Sequence, residues 1–182
     1  MSFAGGVMSS AESLEYILQK YPKGRIIGIV IGGSAEVLEA HMGRHATILS
    51  KRRGFCKYAL KYGTWLVPSY SFGENDIFIQ IRNRKGSLLR RIQDTIKHHL
   101  GFCPPIYFGR GLFNSFFGLL PFRRPITTVV GRPIPVQKSK NGEPTQDEIE
   151  KLHATYTREL IKLFEEHKEN YGVAPDQHLE IL

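Results

Sequence analysis

Strands that alternate with helices along the chain predict an α/β fold: a largely parallel sheet flanked by helices, closed by a C-terminal amphipathic helix. Three observations carry this. Ile26-Ile27-Gly28-Ile29-Val30-Ile31 is a short, uninterrupted apolar run, mostly β-branched, which reads as a strand buried on both faces. Helical apolar spacing lies on either side of it. The last helix carries its own start and stop signals. The 182 residues suffice for one domain with a real core, taken as residues 1–182.

The elements follow in order. Ser9-Ser10-Ala11-Glu12 has capping-box spacing, and Leu14, Ile17 and Leu18 continue at helical intervals until Pro22 and Gly24. The β-branched run comes next and Gly32-Gly33 stops it. A second helix is expected from about Arg52 to Tyr62, with Phe55, Ala59 and Leu60 on one side and Gly63 at its end. Trp65-Leu66-Val67-Pro68 reads as another buried strand that stops or bends at the proline. Residues 87–100 have the pattern of a third amphipathic helix (Leu88, Leu89, Ile92, Ile96, Leu100), closed by Gly101. Residues 106–108 and 126–130 read as strands. In the final helix Thr145 is the N-cap and Glu148 completes the box, and Ile149, Leu152, Tyr156, Leu160, Leu163 and Phe164 form the stripe. Gly172 and Pro175 mark its end, and residues 137–144 are the loop before it.

Charge is unevenly spread. Residues 1–142 hold 21 Lys/Arg against 7 Asp/Glu, whereas residues 143–182 hold 4 against 10. A basic body points to an anionic partner or to a solvated surface. Two cysteines, Cys56 and Cys103, do not make a disulfide framework, so a reducing compartment is the default. The sequence has neither a signal-peptide pattern at its start nor a run of about 18 apolar residues.

Four features are candidates for chemistry. The first is Ile31-Gly32-Gly33-Ser34-Ala35-Glu36. Ligands of parallel α/β sheets sit outside the carboxyl ends of strands. Gly32 and Gly33 allow close backbone approach, and Glu36 is placed to orient a hydroxyl or a histidine. The bland alternative is a tight turn with a surface carboxylate. No GxGxxG is present, which argues against a dinucleotide. The second is the basic cluster Arg44, Lys51, Arg52, Arg53, Lys57 and Lys61, with no acidic residue between Glu39 and Glu74. Arg52, Arg53 and Gly54 open a helix, where free amides favour a phosphate, although a solvated helix face is equally compatible. The third is His41 and His45, four apart, but Gly43 intervenes and no third ligand is near, so no metal is expected. The fourth is residues 102–122, rich in Phe and Leu with the single charge Arg110, which suit an acyl pocket, a membrane interface or packing under a loop. The aromatics do not interleave with the basic cluster as a stacking platform requires, which argues against nucleic acid.

Arg52-Arg53-Gly54-Phe55-Cys56-Lys57-Tyr58-Ala59, then Gly63, Leu66-Val67-Pro68 and Phe72-Gly73-Glu74, resembles a signature of the type-2 diacylglycerol acyltransferase family, which includes monoacylglycerol and wax-alcohol acyltransferases. Gly109-Arg110-Gly111, residues 125–133 and the last helix also resemble it. More distantly, the chain is similar to the glycerol-phosphate acyltransferase superfamily, with Gly32 to Glu36 in place of its glycine-and-glutamate motif. After Glu36 come Val37 and Leu38 and no phosphate-gripping arginine, which suits a neutral acceptor. The resemblance implies transfer of a fatty acyl group from acyl-CoA, as co-substrate, to a mono- or diacylglycerol, with no other cofactor. It implies Gly32, Gly33, Arg52, Arg53, Gly54, Lys57 and Arg110 at the substrates and Glu36 as an orienting carboxylate. It also implies a membrane surface at the cytoplasmic face of the endoplasmic reticulum and leaves homo- or hetero-oligomers open. The family's His-Pro-His-Gly motif is absent: none of the seven histidines is followed by Pro-His-Gly. A partial acyltransferase-like domain, inactive alone, is therefore expected. The alternative is a non-catalytic acyl-CoA- or lipid-binding fragment, or a regulator of a full-length enzyme.

Overall fold

The computed structural model describes residues 10–20, 24, 26–80, 86–87, 91, 95, 107–111, 118–140 and 142–182. Helix α1 spans Ala11–Lys20, where Ser10 Oγ accepts the Ser13 amide at 3.2 Å as the N-cap. A single helical turn, α2, spans Ser34–Val37. Strand β1 is Ala46–Thr47 and helix α3 is Gly54–Tyr62, ended by Gly63 in the left-handed conformation. Then come β2 (Ser69–Phe72), a 3₁₀ turn (Glu74–Asp76), β3 (Ile79–Gln80), β4 (Tyr107–Phe108) and β5 (Thr127–Val130). Helix α4, Gln146–His167, runs into a second 3₁₀ turn, Lys168–Tyr171, and β6 (Glu180–Ile181) ends the chain.

The last helix matches its sequence pattern throughout. Thr145 caps the Glu148 amide, the Glu148 carboxylate accepts the Thr145 amide at 2.7 Å, and the six stripe residues are buried. Helix α4 lies over α3 and the β2–β5 pair, and the core forms between them from Leu49, Cys56, Leu60, Phe72, Tyr156, Leu160 and Phe164. Phe164 is fully buried; its ring centroid lies 5.0 Å from that of Tyr70 and 5.5 Å from that of Phe72. Beyond α4, Lys168 is buried with its ammonium on the Pro175 and Gln177 carbonyls, both at 2.8 Å, and on Glu165 at 2.6 Å. That cation turns the chain back so that β6 can pair with β1.

The sheet departs from expectation. Among the described residues it is three two-stranded pieces, and the parallel one is only β1–β6, with Ala46 opposite Glu180 and Thr47 opposite Ile181. The pairs β2–β5 and β3–β4 are antiparallel. A largely parallel sheet is therefore not what these residues build. Residues 26–30 form no strand: Ile26 is fully exposed, Val30 is 84% exposed and Ile29 48%. Strands exist through their neighbours, and among the described residues none pairs with this run. Each large aliphatic left in water forgoes about 1.5–3 kcal/mol of burial. The buried strand expected at residues 65–68 is also corrected. Leu66 and Ile134 exchange backbone hydrogen bonds at 3.2 and 2.7 Å, but Trp65 and Val67 face solvent. One face of this ladder packs on the core and the other stays open, as antiparallel pairs allow.

Of the helix expected over residues 87–100 only Ser87, Arg91 and Thr95 are described, with the Arg91 amide donating to the Ser87 carbonyl at 3.0 Å; the rest of it, and Phe113, Phe116 and Phe117, lie outside the described residues. Either side of that gap, Gly109 pairs with Gly118 and Arg110 with Leu120, and Leu119 is 80% exposed. No described helix is long and apolar enough to cross a membrane.

Candidate functional site

The chain turns sharply where the β-branched run ends. Gly32 is buried beneath the side chain of Glu36, whose carboxylate would collide with a Cβ at that position. Gly33 has φ +63°, which L side chains rarely adopt, and its carbonyl accepts the Glu36 amide at 3.1 Å. Two glycines thus fold the carboxylate of α2 back over the backbone. This corner opens into a cavity of 540 Å³. Residues 29–33, Glu36 and Val37 line one side; Thr47, Leu49, Ser69, Tyr70 and Ser71 line another, with Tyr156 and Leu160 from α4. Glu74, Asn75, Phe78 and Tyr107 are among the other lining residues. The walls are mixed, apolar from Ile, Leu and Phe, and polar from the carboxylates and hydroxyls.

The predicted substrate residues divide. Gly32, Gly33 and Glu36 line the cavity. Arg52, exposed, reaches back so that Nη2 donates to the Gly32 carbonyl at 3.4 Å, which joins the basic cluster to the glycine corner. Arg53 precedes α3, and its Nη1 donates to the Ser50 carbonyl at 2.8 Å, folding it inward rather than toward solvent. Gly54 is the first residue of α3 and Lys57 is exposed one turn on. Arg110 lies elsewhere: it does not line the cavity, and its Nε donates to the Pro121 carbonyl at 3.0 Å. Of the other cations in the cluster, Arg44 is committed to Glu39 and Glu180, and Lys61 to Glu15 and Glu143.

His41 and His45 do not share a helix face. Residues 42–43 form a turn and Gly43 has φ +70°. His45 instead packs on Phe164, centroids 5.1 Å apart, with Nδ1 3.0 Å from the Tyr70 hydroxyl. Burial lowers the His45 pKa below its usual 6.5, with Asp76 opposing. Burial raises the Tyr70 pKa, and Glu74 and Glu36 add to the rise. Both shifts favour the neutral forms of the pair, whose Tyr70 is part of the cavity wall. Cys56, buried against α4, has its thiol pushed up to about 12 by burial, which disfavours the thiolate.

Tyr70 and Asn75 were not singled out from the sequence, His45 appeared only as half of the His41/His45 pair, and Glu74 only inside the family block. The signal available was position: Tyr70 and Glu74 flank Phe72-Gly73 directly after Leu66-Val67-Pro68. His45 gave no usable signal, since its contacts are with residues 25 and more than 100 positions away.

A glycine corner with a folded-back glutamate thus lies beside an arginine-led helix. The family model described as diacylglycerol acyltransferase matches residues 1–182. The chain belongs to the diacylglycerol acyltransferase family. Among curated members of that family, the bovine 2-acylglycerol O-acyltransferase 1 is 47% identical over 176 residues, which cover 97% of this chain and 52% of that protein. The human diacylglycerol O-acyltransferase 2 is 43% identical over 180 residues, 98% of this chain and 46% of that one. The human 2-acylglycerol O-acyltransferase 3 is 48% identical over 165 residues, 90% and 48% respectively. The chain therefore spans about half the length of the family members it matches. No solved structure matches it.

Proposed function

We propose that this chain forms part of an acyl-CoA-dependent acyltransferase that esterifies a mono- or diacylglycerol at the cytoplasmic face of the endoplasmic reticulum membrane. The observation that carries the reading is the cavity at the Gly32–Gly33–Glu36 corner with Arg52 bridged to Gly32. Family membership and the names of the relatives support it.

The reaction needs a base to take the acceptor's hydroxyl proton as its oxygen attacks the thioester carbonyl, and donors for the oxyanion that forms; collapse of that intermediate breaks the C–S bond and releases CoA, whose thiolate takes the proton from the base. Glu36 orients the acceptor hydroxyl or the base. The α3 N-terminus, with Arg52 and Lys57 outward, grips the phosphates of CoA, where charge-assisted bonds and free amides act together. The apolar walls (Ile31, Leu49, Phe78, Leu160) take hydrocarbon. Arg110 is not at this corner, so a substrate role for it is confined to the loop that includes Leu119.

The test is a labelled acyl-CoA assay with mixed mono- and diacylglycerol. The chain alone gives no measurable ester. The chain joined to the part of the bovine relative that it does not match gives product, and Glu36→Gln in that joined protein lowers kcat by at least about tenfold. Turnover by the chain alone within tenfold of a full-length relative, or a joined protein indifferent to Glu36→Gln, contradicts the reading.

A further inference from the structure

We infer that residues 26–31 are a docking edge for a β-strand supplied by the part of the family fold that this chain does not match. The inference rests on family membership and on the shape of this segment, and goes beyond the acyltransferase reading.

Three observations converge. First, the run has the composition of a strand and pairs with no other described residue. Ile26, Ile27, Ile29, Val30 and Ile31 strongly favour pleated, packed surroundings, yet residues 26–30 form no ladder, and Ile26 and Val30 stand 101% and 84% exposed. Ile31 alone of the run packs against the core, so the run is anchored there at its carboxyl end. Second, the edge is unguarded. Exposed strand edges in native proteins carry charges, prolines or bulges that block pairing. Residues 26–35 contain no charged residue and no proline. A sequence that leaves such a stretch unprotected is one in which another strand covers it. Third, the family supplies an occupant. The matched relatives are about twice as long as the matched region, 52% of the bovine protein being covered. The uncovered part is long enough for a strand and an apolar face to lie over Ile26 and Val30.

The consequence reaches the site. Residues 29–33 are one wall of the cavity, and Gly32 positions the Glu36 carboxylate. A strand hydrogen-bonded along residues 26–31 fixes that wall and with it the corner. Without it, the glutamate follows a run that pairs with no other described residue.

Amide hydrogen exchange tests this without reference to activity. The chain is measured alone and mixed with the separately produced remainder of the bovine 2-acylglycerol O-acyltransferase 1, in the same detergent. Alone, amides 27–31 exchange near the free-peptide rate; in the complex they slow by at least tenfold. Val30→Pro removes one donor and abolishes both complex and protection. The double change Ile26→Lys, Val30→Lys weakens the complex while α4 stays as protected as before. Because the remainder alone can fail to fold, a single polypeptide joining the two parts is measured as well. Several outcomes overturn the inference: amides 27–31 already protected in the chain alone, protection that depends on chain concentration without the remainder, a complex that leaves them fast, or a joined protein in which they stay fast.

Discussion

The body around α4 and the segment from Ile26 to Glu39 are opposite solutions within one chain. The body closes on itself. Helix α4 brings its own capping box, a six-residue buried stripe and a buried lysine that turns the chain back to β6. The segment brings equally strong local signals, a β-branched run and two glycines, yet its first five residues form no strand. The difference shows which signals suffice. A helix satisfies its backbone internally and needs only one apolar face covered. A strand leaves donors and acceptors on both edges, so its formation depends on what lies beside it.

The comparison is most sharply tested by truncation on each side. Phe164→Ala removes the fully buried ring that His45, Tyr70 and Phe72 pack against, and should cost about 3–5 kcal/mol in urea unfolding. Val30→Ala, at an 84% exposed position, should fall within about 0.5 kcal/mol of the parent. Comparable losses at both positions would place the segment in the core and end the contrast.

A smaller effect is expected at the cap. Thr145→Ala removes the hydroxyl that accepts the Glu148 amide and should lower stability by about 1 kcal/mol. The Glu148 pKa lies below its usual 4.5 because the Thr145 amide and hydroxyl bind the carboxylate. Its contribution is therefore present above 4.5 and fades as pH falls through the lowered value, and Thr145→Ala should blunt that acid limb in unfolding measured against pH.

His45 sets a second limb. Its folded pKa is lowered by burial from 6.5, so the unfolded chain binds the extra proton first. Stability is full above 6.5 and declines below it, and His45→Asn should flatten this part of the profile while Tyr70 loses its partner.

Much of the fold was readable from the residues. The α1, α3 and α4 spans, the Thr145–Glu148 box, Gly63 as the end of α3 and the strands at 107–108 and 127–130 follow from periodicity and caps, which are local. The largely parallel sheet that the residues suggested is not built, because the composition of residues 26–31 speaks for burial on both faces but not for where the neighbours come from. Trp65 to Pro68 misled similarly: a four-residue apolar run does not distinguish a central strand from an edge with one open face. At the site, Gly32, Gly33 and Glu36 were legible because the glycines and the carboxylate lie within five positions. Arg110 lies away from that corner, since proximity between distant segments is decided by tertiary packing. His45 was legible only as half of a metal pair, whereas its partners Tyr70 and Phe164 come from β2 and α4.

The central claim is that acyl-CoA is held at the Gly32–Glu36 corner by the arginine that reaches it. Equilibrium binding of a long-chain acyl-CoA to the purified chain and to two variants tests this most directly. Arg52 lies 3.4 Å from the Gly32 carbonyl, while Arg110 sits on the Pro121 carbonyl away from the cavity. Arg52→Ala should weaken binding by about tenfold or more, the worth of one charge-assisted phosphate contact, and Arg110→Ala should leave it unchanged. Equal affinity in the parent and in Arg52→Ala, or a larger loss at Arg110, would contradict the account.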